Sequence, residues 1–92
     1  MHNQYIQVRY RVRDYARWRA VFDADTAEQR RAGVFVRYVL CDDKDPNEIT
    51  LIAQIKNREG VISLSRRKDL GALIEKAGVL RDTVRYRWLG ER

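Results

Sequence analysis

Cysteine, proline, methionine and histidine each occur once in these 92 residues, and each scarcity excludes something. The lone Cys41 cannot form an internal disulfide, which fits a reducing compartment and a cytoplasmic protein. Its expected place is a buried free thiol rather than a reactive one. The one histidine, His2, stands at a terminus expected to fray. Histidine acid–base catalysis, histidine metal sites and a haem ligated from the core are therefore disfavoured, and neither metal nor cofactor is expected. No run of about 18 apolar residues is present, so no membrane span is expected. The opening MHNQYIQVRY lacks the apolar core of a signal peptide. Acidic residues are outnumbered: thirteen Asp and Glu face nineteen Lys and Arg, fifteen of them arginine, for a net charge of +6. That balance points to an anionic ligand or nucleic acid, and it says nothing about fold.

Length allows a single domain over residues 1–92, with room for one sheet and a few helices. A chain this short buries only about 60% of its unfolded surface, so a second copy would add stability.

The organising stretch is Asp14 to Gly33. Asp14 is a good N-cap, because its carboxylate can accept from an unpaired first-turn N–H. Tyr15, Trp18 and Phe22 follow at helical spacing and share one side. Gly33 is the natural stop. Past Phe22 the same side carries Asp25, Thr26 and Gln29, so an oily face ends in polar groups that either meet solvent or line a pocket.

Around this helix the pattern is of strands. Residues Tyr5 to Arg13 alternate, with Ile6, Val8, Tyr10 and Val12 on one face and Gln7, Arg9 and Arg11 on the other. Val34 to Cys41 reads the same way, with Val34, Val36, Tyr38 and Leu40 together. The turn DDKDPN follows, where Asp and Asn bond their own backbone and Pro46 fixes a dihedral. Ile49 to Lys56 places Ile49, Leu51, Ala53 and Ile55 on one face. From Asn57 the apolar phase slips near Arg67, which predicts two short helices ending at Gly78. Thr83 to Leu89 is the last strand, with Val84, Tyr86 and Trp88 on one face and Arg85 and Arg87 on the other.

The order β, α, β, β, α, β with right-handed crossovers gives an α+β, ferredoxin-like antiparallel sheet whose first and third strands are central. Helices cover one face. The other presents Gln7, Arg9, Arg11, Arg37, Gln54, Arg85 and Arg87, which suits solvent, a partner sheet or RNA. An RNA-binding sheet of this order needs stacking aromatics on its central strands, and NEITLIAQIK has none; nucleic acid is disfavoured.

Under the helices the aromatics converge. Tyr10, Trp18, Phe22, Trp88 and Leu73 are the expected ligand-contacting residues, alongside Leu64 and Ile74, and buried tyrosine hydroxyls need partners. Each ring read singly is ordinary core; the collection suggests a site for a small aromatic or polyketide-like molecule. The candidate catalytic residues are Asp25 as base and Tyr38 and Tyr86 as hydrogen-bond donors to an enolate oxygen. Arg17 and Arg67 are further candidates for holding its charge, against the plainer reading of all these as surface groups. Ser63 and Ser65 read as helix-surface residues.

Val8-Arg9 and Val12 before Asp14-Tyr15, then Trp18, Phe22-Asp23 and Gly33, then Asp45-Pro46-Asn47-Glu48-Ile49 and Ala77-Gly78-Val79, occur in an order that resembles the antibiotic-biosynthesis-monooxygenase-like family of the dimeric α/β-barrel superfamily. The resemblance implies a homodimer with two sheets face to face and a pocket in each subunit between sheet and helices. It implies a small cofactor-independent enzyme of polyketide-type metabolism, a monooxygenase or cyclase acting on a phenolic or polycyclic substrate. A non-catalytic dimeric ligand-binding module is the alternative. The haem-degrading branch and the histidine–aspartate dyad branch both rely on a histidine, and this chain has only His2. The catalytic asparagine and tryptophan of the better-known oxygenases find no matching position, so no catalytic residue is carried over.

Overall fold

In the structure, a computed structural model describing residues 3–92, eight elements follow one another. They are β1 (Gln4–Val12), α1 (Tyr15–Ala24), α2 (Thr26–Arg31), β2 (Val34–Cys41), β3 (Glu48–Ile55), α3 (Arg58–Ser65), α4 (Leu70–Ala77) and β4 (Val79–Gly90). The expectation of fraying at His2 lies outside the described residues. One antiparallel sheet runs in the order β2-β3-β1-β4, so β1 and β3 are central, as the topology predicts. This is a ferredoxin-like α+β arrangement with the helices on one face. No helix of the described residues is long and apolar enough to cross a membrane.

Local chemistry sets the helix ends. Asp14 accepts from the Arg17 N–H at 2.9 Å and Asn57 from the Gly60 N–H at 3.1 Å. Gly33 and Gly78 close the helical regions with φ of 80° and 73°, where a side chain would be strained. Arg17 donates to the Glu75 and Lys76 carbonyls at the end of α4, both at 2.8 Å. Its guanidinium is thus occupied as a cap and does not reach the cavity described below.

Three departures from the sequence reading have local causes. The single helix expected to Gly33 breaks at Asp25 (φ −95°, ψ −2°). There the Thr26 hydroxyl donates to the Asp23 carbonyl at 2.9 Å, offering the backbone an alternative to the helix ladder. The second departure is in β2. Val36 pairs with Ala53 but Tyr38 pairs with Ile52, so β2 gains one residue in a bulge. Side-chain parity reverses there: Val39 packs on the core, while Tyr38 and Leu40 turn to the helix-free face, 61% and 50% exposed. Cys41, expected buried, is exposed at the last position of this edge strand. Third, β4 starts at Val79, not Thr83. Its register slips between Arg9 and Arg11, where Thr83 Oγ1 accepts from the Arg11 N–H at 2.9 Å and replaces a ladder bond.

Two apolar clusters hold the helices down. One joins Val12, Trp18, Ile49, Leu51 and Ala77; the other joins Ile6, Val34, Ala53 and Ile55. The start of α3 touches the α2–β2 turn at Gly60, where a Cβ would lie 2.0 Å from the Ala32 carbonyl oxygen. A backbone atom cannot step aside as a flexible side chain can. Gly60→Ala is expected to cost about 1–3 kcal/mol, measured by urea denaturation.

Candidate functional site

Between the sheet and the helices lies a cavity of about 330 Å³. Val8, Tyr10 and Leu51 form its floor from β1 and β3, and Val79 and Val84 come from β4. Trp18, Val21 and Phe22 wall it from α1, with Asp25 and Gln29 past the break. Leu64, Ser65, Leu70, Leu73 and Ile74 close it from α3 and α4. Helical spacing puts Trp18, Phe22, Asp25 and Gln29 on one side, and the α1–α2 break keeps the last two against the cavity.

Trp18 is the anchor, with 1% of its surface exposed. Its ring stacks on Phe22 with centroids 5.0 Å apart and meets Tyr10 edge-on at 6.2 Å. The indole Nε1–H donates to the Tyr10 hydroxyl oxygen at 3.0 Å. Tyr10 is thereby an acceptor from the protein, and its own O–H proton has no acceptor among the described residues. That proton is available to the cavity. Burial pushes the Tyr10 phenol up to about 12, with the Trp18 bond pulling slightly the other way, so the donor stays protonated across the physiological range.

Asp25 and Arg67 form the polar corner. Arg67 Nη1 donates to both Asp25 carboxylate oxygens at 3.0 Å, with the Arg67 side chain 18% and the Asp25 side chain 13% exposed. Arg67 also holds Asp69 in a fork, at 2.6 and 3.0 Å. Hydrogen bonding to Asp69, then to Asp25, raises the guanidinium pKa still further, and the same fork lowers that of the Asp69 carboxyl. The cluster links the α1–α2 junction to the α3–α4 connection.

Of the residues expected at the site, Tyr10, Trp18, Phe22, Asp25 and Leu73 line this cavity, as do Leu64 and Ile74. Tyr38, Tyr86 and Trp88 do not. Tyr38 leaves by the β2 bulge. Tyr86 pairs with Val8 on the helix side, yet it sits on an edge strand with 64% of its surface exposed. Trp88 packs against the Ile6 cluster, under the Arg58 guanidinium at 4.8 Å from its ring centre. Val21, Leu70, Val79 and Ser65 belong to the cavity and were missed. Val79 was missed with the early start of β4. Ser65 is exposed, yet it edges the opening while its hydroxyl donates to the Ile62 carbonyl at 2.6 Å.

The arrangement offers a largely apolar aromatic slot with one free phenolic donor and a carboxylate at one corner. Among the described residues no cluster of metal-ligating side chains occurs. No protein-family model matches the sequence, and no curated protein sequence matches it. Solved structures do. SnoaB, a cofactor-independent oxygenase from Streptomyces nogalater, superposes over 100% of this chain and 93% of its own, with a TM-score of 0.66 and 17% identity. The chain has the fold of the antibiotic biosynthesis monooxygenases. A candidate member from Caulobacter crescentus aligns over 98% of this chain and 90% of its own, with a TM-score of 0.73 and 9% identity. A NIPSNAP family protein of unknown function from Agrobacterium tumefaciens aligns over 98% and 88%, with a TM-score of 0.71 and 15% identity. The monooxygenase fold is therefore shared with a protein of no assigned activity, and the activity must be argued from the cavity.

Proposed function

We propose that this protein is a cofactor-independent oxygenase whose cavity takes an aromatic ketone bearing an acidic methylene. The observation that carries this reading is the Trp18–Tyr10 hydrogen bond, which leaves one hydroxyl proton with no acceptor among the described residues in a largely apolar cavity. Its support includes the likeness in fold to an oxygenase that needs no cofactor. The chemistry follows from the groups present. The Asp25 carboxylate removes a methylene proton, using a lone pair that Arg67 leaves open, and Arg67 positions it. Charge moves onto the ketone oxygen, where the Tyr10 O–H donates to it in a low-dielectric site. The carbanion gives its electrons to molecular oxygen and a C–O bond forms. The resulting hydroperoxide loses water, so methylene and O₂ become carbonyl and water.

Tyr38 and Tyr86 have no part in this proposal, since neither reaches the cavity. Anthrone, a tricyclic ketone with an acidic methylene, is a direct probe. Oxygen uptake and anthraquinone formation above the protein-free rate are expected, and Tyr10→Phe is expected to lower kcat about 100-fold with its circular dichroism unchanged. No rate above the protein-free control would sink the oxygenase reading. It would leave a ligand-binding module without catalysis, which the fixed Asp25–Arg67 pair also suits.

The helix-free sheet face is proposed to pack on a second copy. It combines exposed Tyr38, Leu40 and Leu89 with Arg9, Arg11, Arg37, Arg85 and Arg87. Asp45 and Glu48 already neutralise part of this charge, at 2.6 Å and 3.5 Å from Arg11 and 3.5 Å from Arg9. Native mass spectrometry at twice the chain mass is the expected result. A monomer would leave the face open and favour a nucleic-acid partner, read by a steep salt dependence.

A further inference from the structure

The charges around the cavity constrain what can enter it. No lysine or arginine lines it; among the described residues the ionisable ones in its walls are Asp25 and Tyr10. The cation bonded to its wall, Arg67, is committed to two carboxylates, Asp25 and Asp69. One cation against two anions leaves this corner with a negative balance. The unspent hydrogen-bond donors are uncharged: the Tyr10 hydroxyl proton and the Gln29 carboxamide, whose side chain bonds to none of the described residues. An anion entering this slot would shed its water, meet no free cation and sit beside a carboxylate. A cation would have to compete with Arg67, which already pairs with both Asp25 oxygens. A neutral carbonyl, by contrast, finds a donor waiting and loses little on desolvation.

We infer that the cavity selects uncharged aromatic carbonyl compounds and rejects their carboxylates and phosphates, despite the net positive charge of the chain. The inference rests on the cavity being the ligand site. It also separates two roles for charge: five of the arginines that make the chain basic, Arg9, Arg11, Arg37, Arg85 and Arg87, lie on the helix-free face, and no arginine lines the cavity. Arg67 touches it only through Asp25. The ligand therefore enters neutral and acquires charge only after its proton has passed to Asp25.

The test uses three probes of nearly the same shape, titrated by tryptophan fluorescence and calorimetry: 9-fluorenone, fluorene and fluorene-9-carboxylate. Fluorenone is expected to bind about 5-fold tighter than fluorene, the worth of one net hydrogen bond, and Tyr10→Phe should erase that difference. The carboxylate is expected to bind at least about 10-fold more weakly than fluorenone. Asp25→Asn should raise the affinity for the carboxylate relative to fluorenone by about 5-fold. A carboxylate that binds as tightly as fluorenone overturns the charge selection alone. A relative affinity unmoved in a folded Asp25→Asn variant does the same. If none of the three binds, the cavity is not the ligand site, and the reading beneath it falls as well.

Discussion

Trp18→Ala is expected to lose about 3–5 kcal/mol of unfolding free energy, a large part of what a 92-residue domain possesses. The size follows from what the ring does. Trp18 is 1% exposed and stands where α1 meets the sheet, in one buried cluster with Val12, Ile49, Leu51 and Ala77. Removing it would merge its volume with a cavity that is already about 330 Å³, and the neighbouring walls are held by other contacts and cannot collapse inward. It would also strip Tyr10 of its hydrogen-bond donor. Trp18→Phe keeps most of the apolar area and loses the donor, so it should cost much less stability while disturbing ligand binding. Urea denaturation of both variants checks this; a Trp18→Ala loss under about 1.5 kcal/mol would mean the ring is not the keystone of this core.

The second large effect is one of alkaline pH. Tyr10 has an ordinary phenol value near 10 in the unfolded chain and about 12 in the folded one, chiefly because burial disfavours the phenolate. Above pH 10 the unfolded state releases a proton that the folded state keeps, so the unfolded state binds fewer protons there. Stability supplied by Tyr10 is therefore complete below pH 10 and lost progressively as pH rises through 12. The two-unit difference amounts to about 2–3 kcal/mol. Other tyrosines and lysines titrate in the same range, so the decisive comparison is with Tyr10→Phe. Urea midpoints measured from pH 9 to pH 12 should fall more steeply for the wild type than for the variant. Parallel curves would place Tyr10 in water in the folded state.

Much of this protein was legible as sequence because local rules governed it. Strict alternation in β1 and β3 put Ile6, Val8, Ile49, Leu51, Ala53 and Ile55 on the covered face, where central strands cannot change parity without losing the core. Asp14, Gly33 and Gly78 marked helix ends through chemistry that needs only neighbouring atoms. The slip of apolar phase near Arg67 marked the gap between α3 and α4, because a helix cannot bury two unaligned stripes against one sheet.

The tertiary structure decided what those rules could not. A single extra residue in β2 turned Tyr38 and Leu40 outward, and nothing in VFVRYVLC marks it; the bulge exists because β2 pairs with β3 on one edge only and can bend there at little cost. Tyr86 kept the covered side of its strand and stayed exposed, because coverage depends on where α3 and α4 end and not on alternation. The same holds for the pairing of Asp25 with Arg67 and of Trp18 with Tyr10. The first joins residues 42 apart, and the second joins a helix to a strand 8 residues away. Where an element runs without a bulge, alternation or helical spacing sets which side a residue occupies; only packing in three dimensions sets where a strand bulges and which partner a side chain meets, and in this protein the free Tyr10 proton is set by that choice of partner.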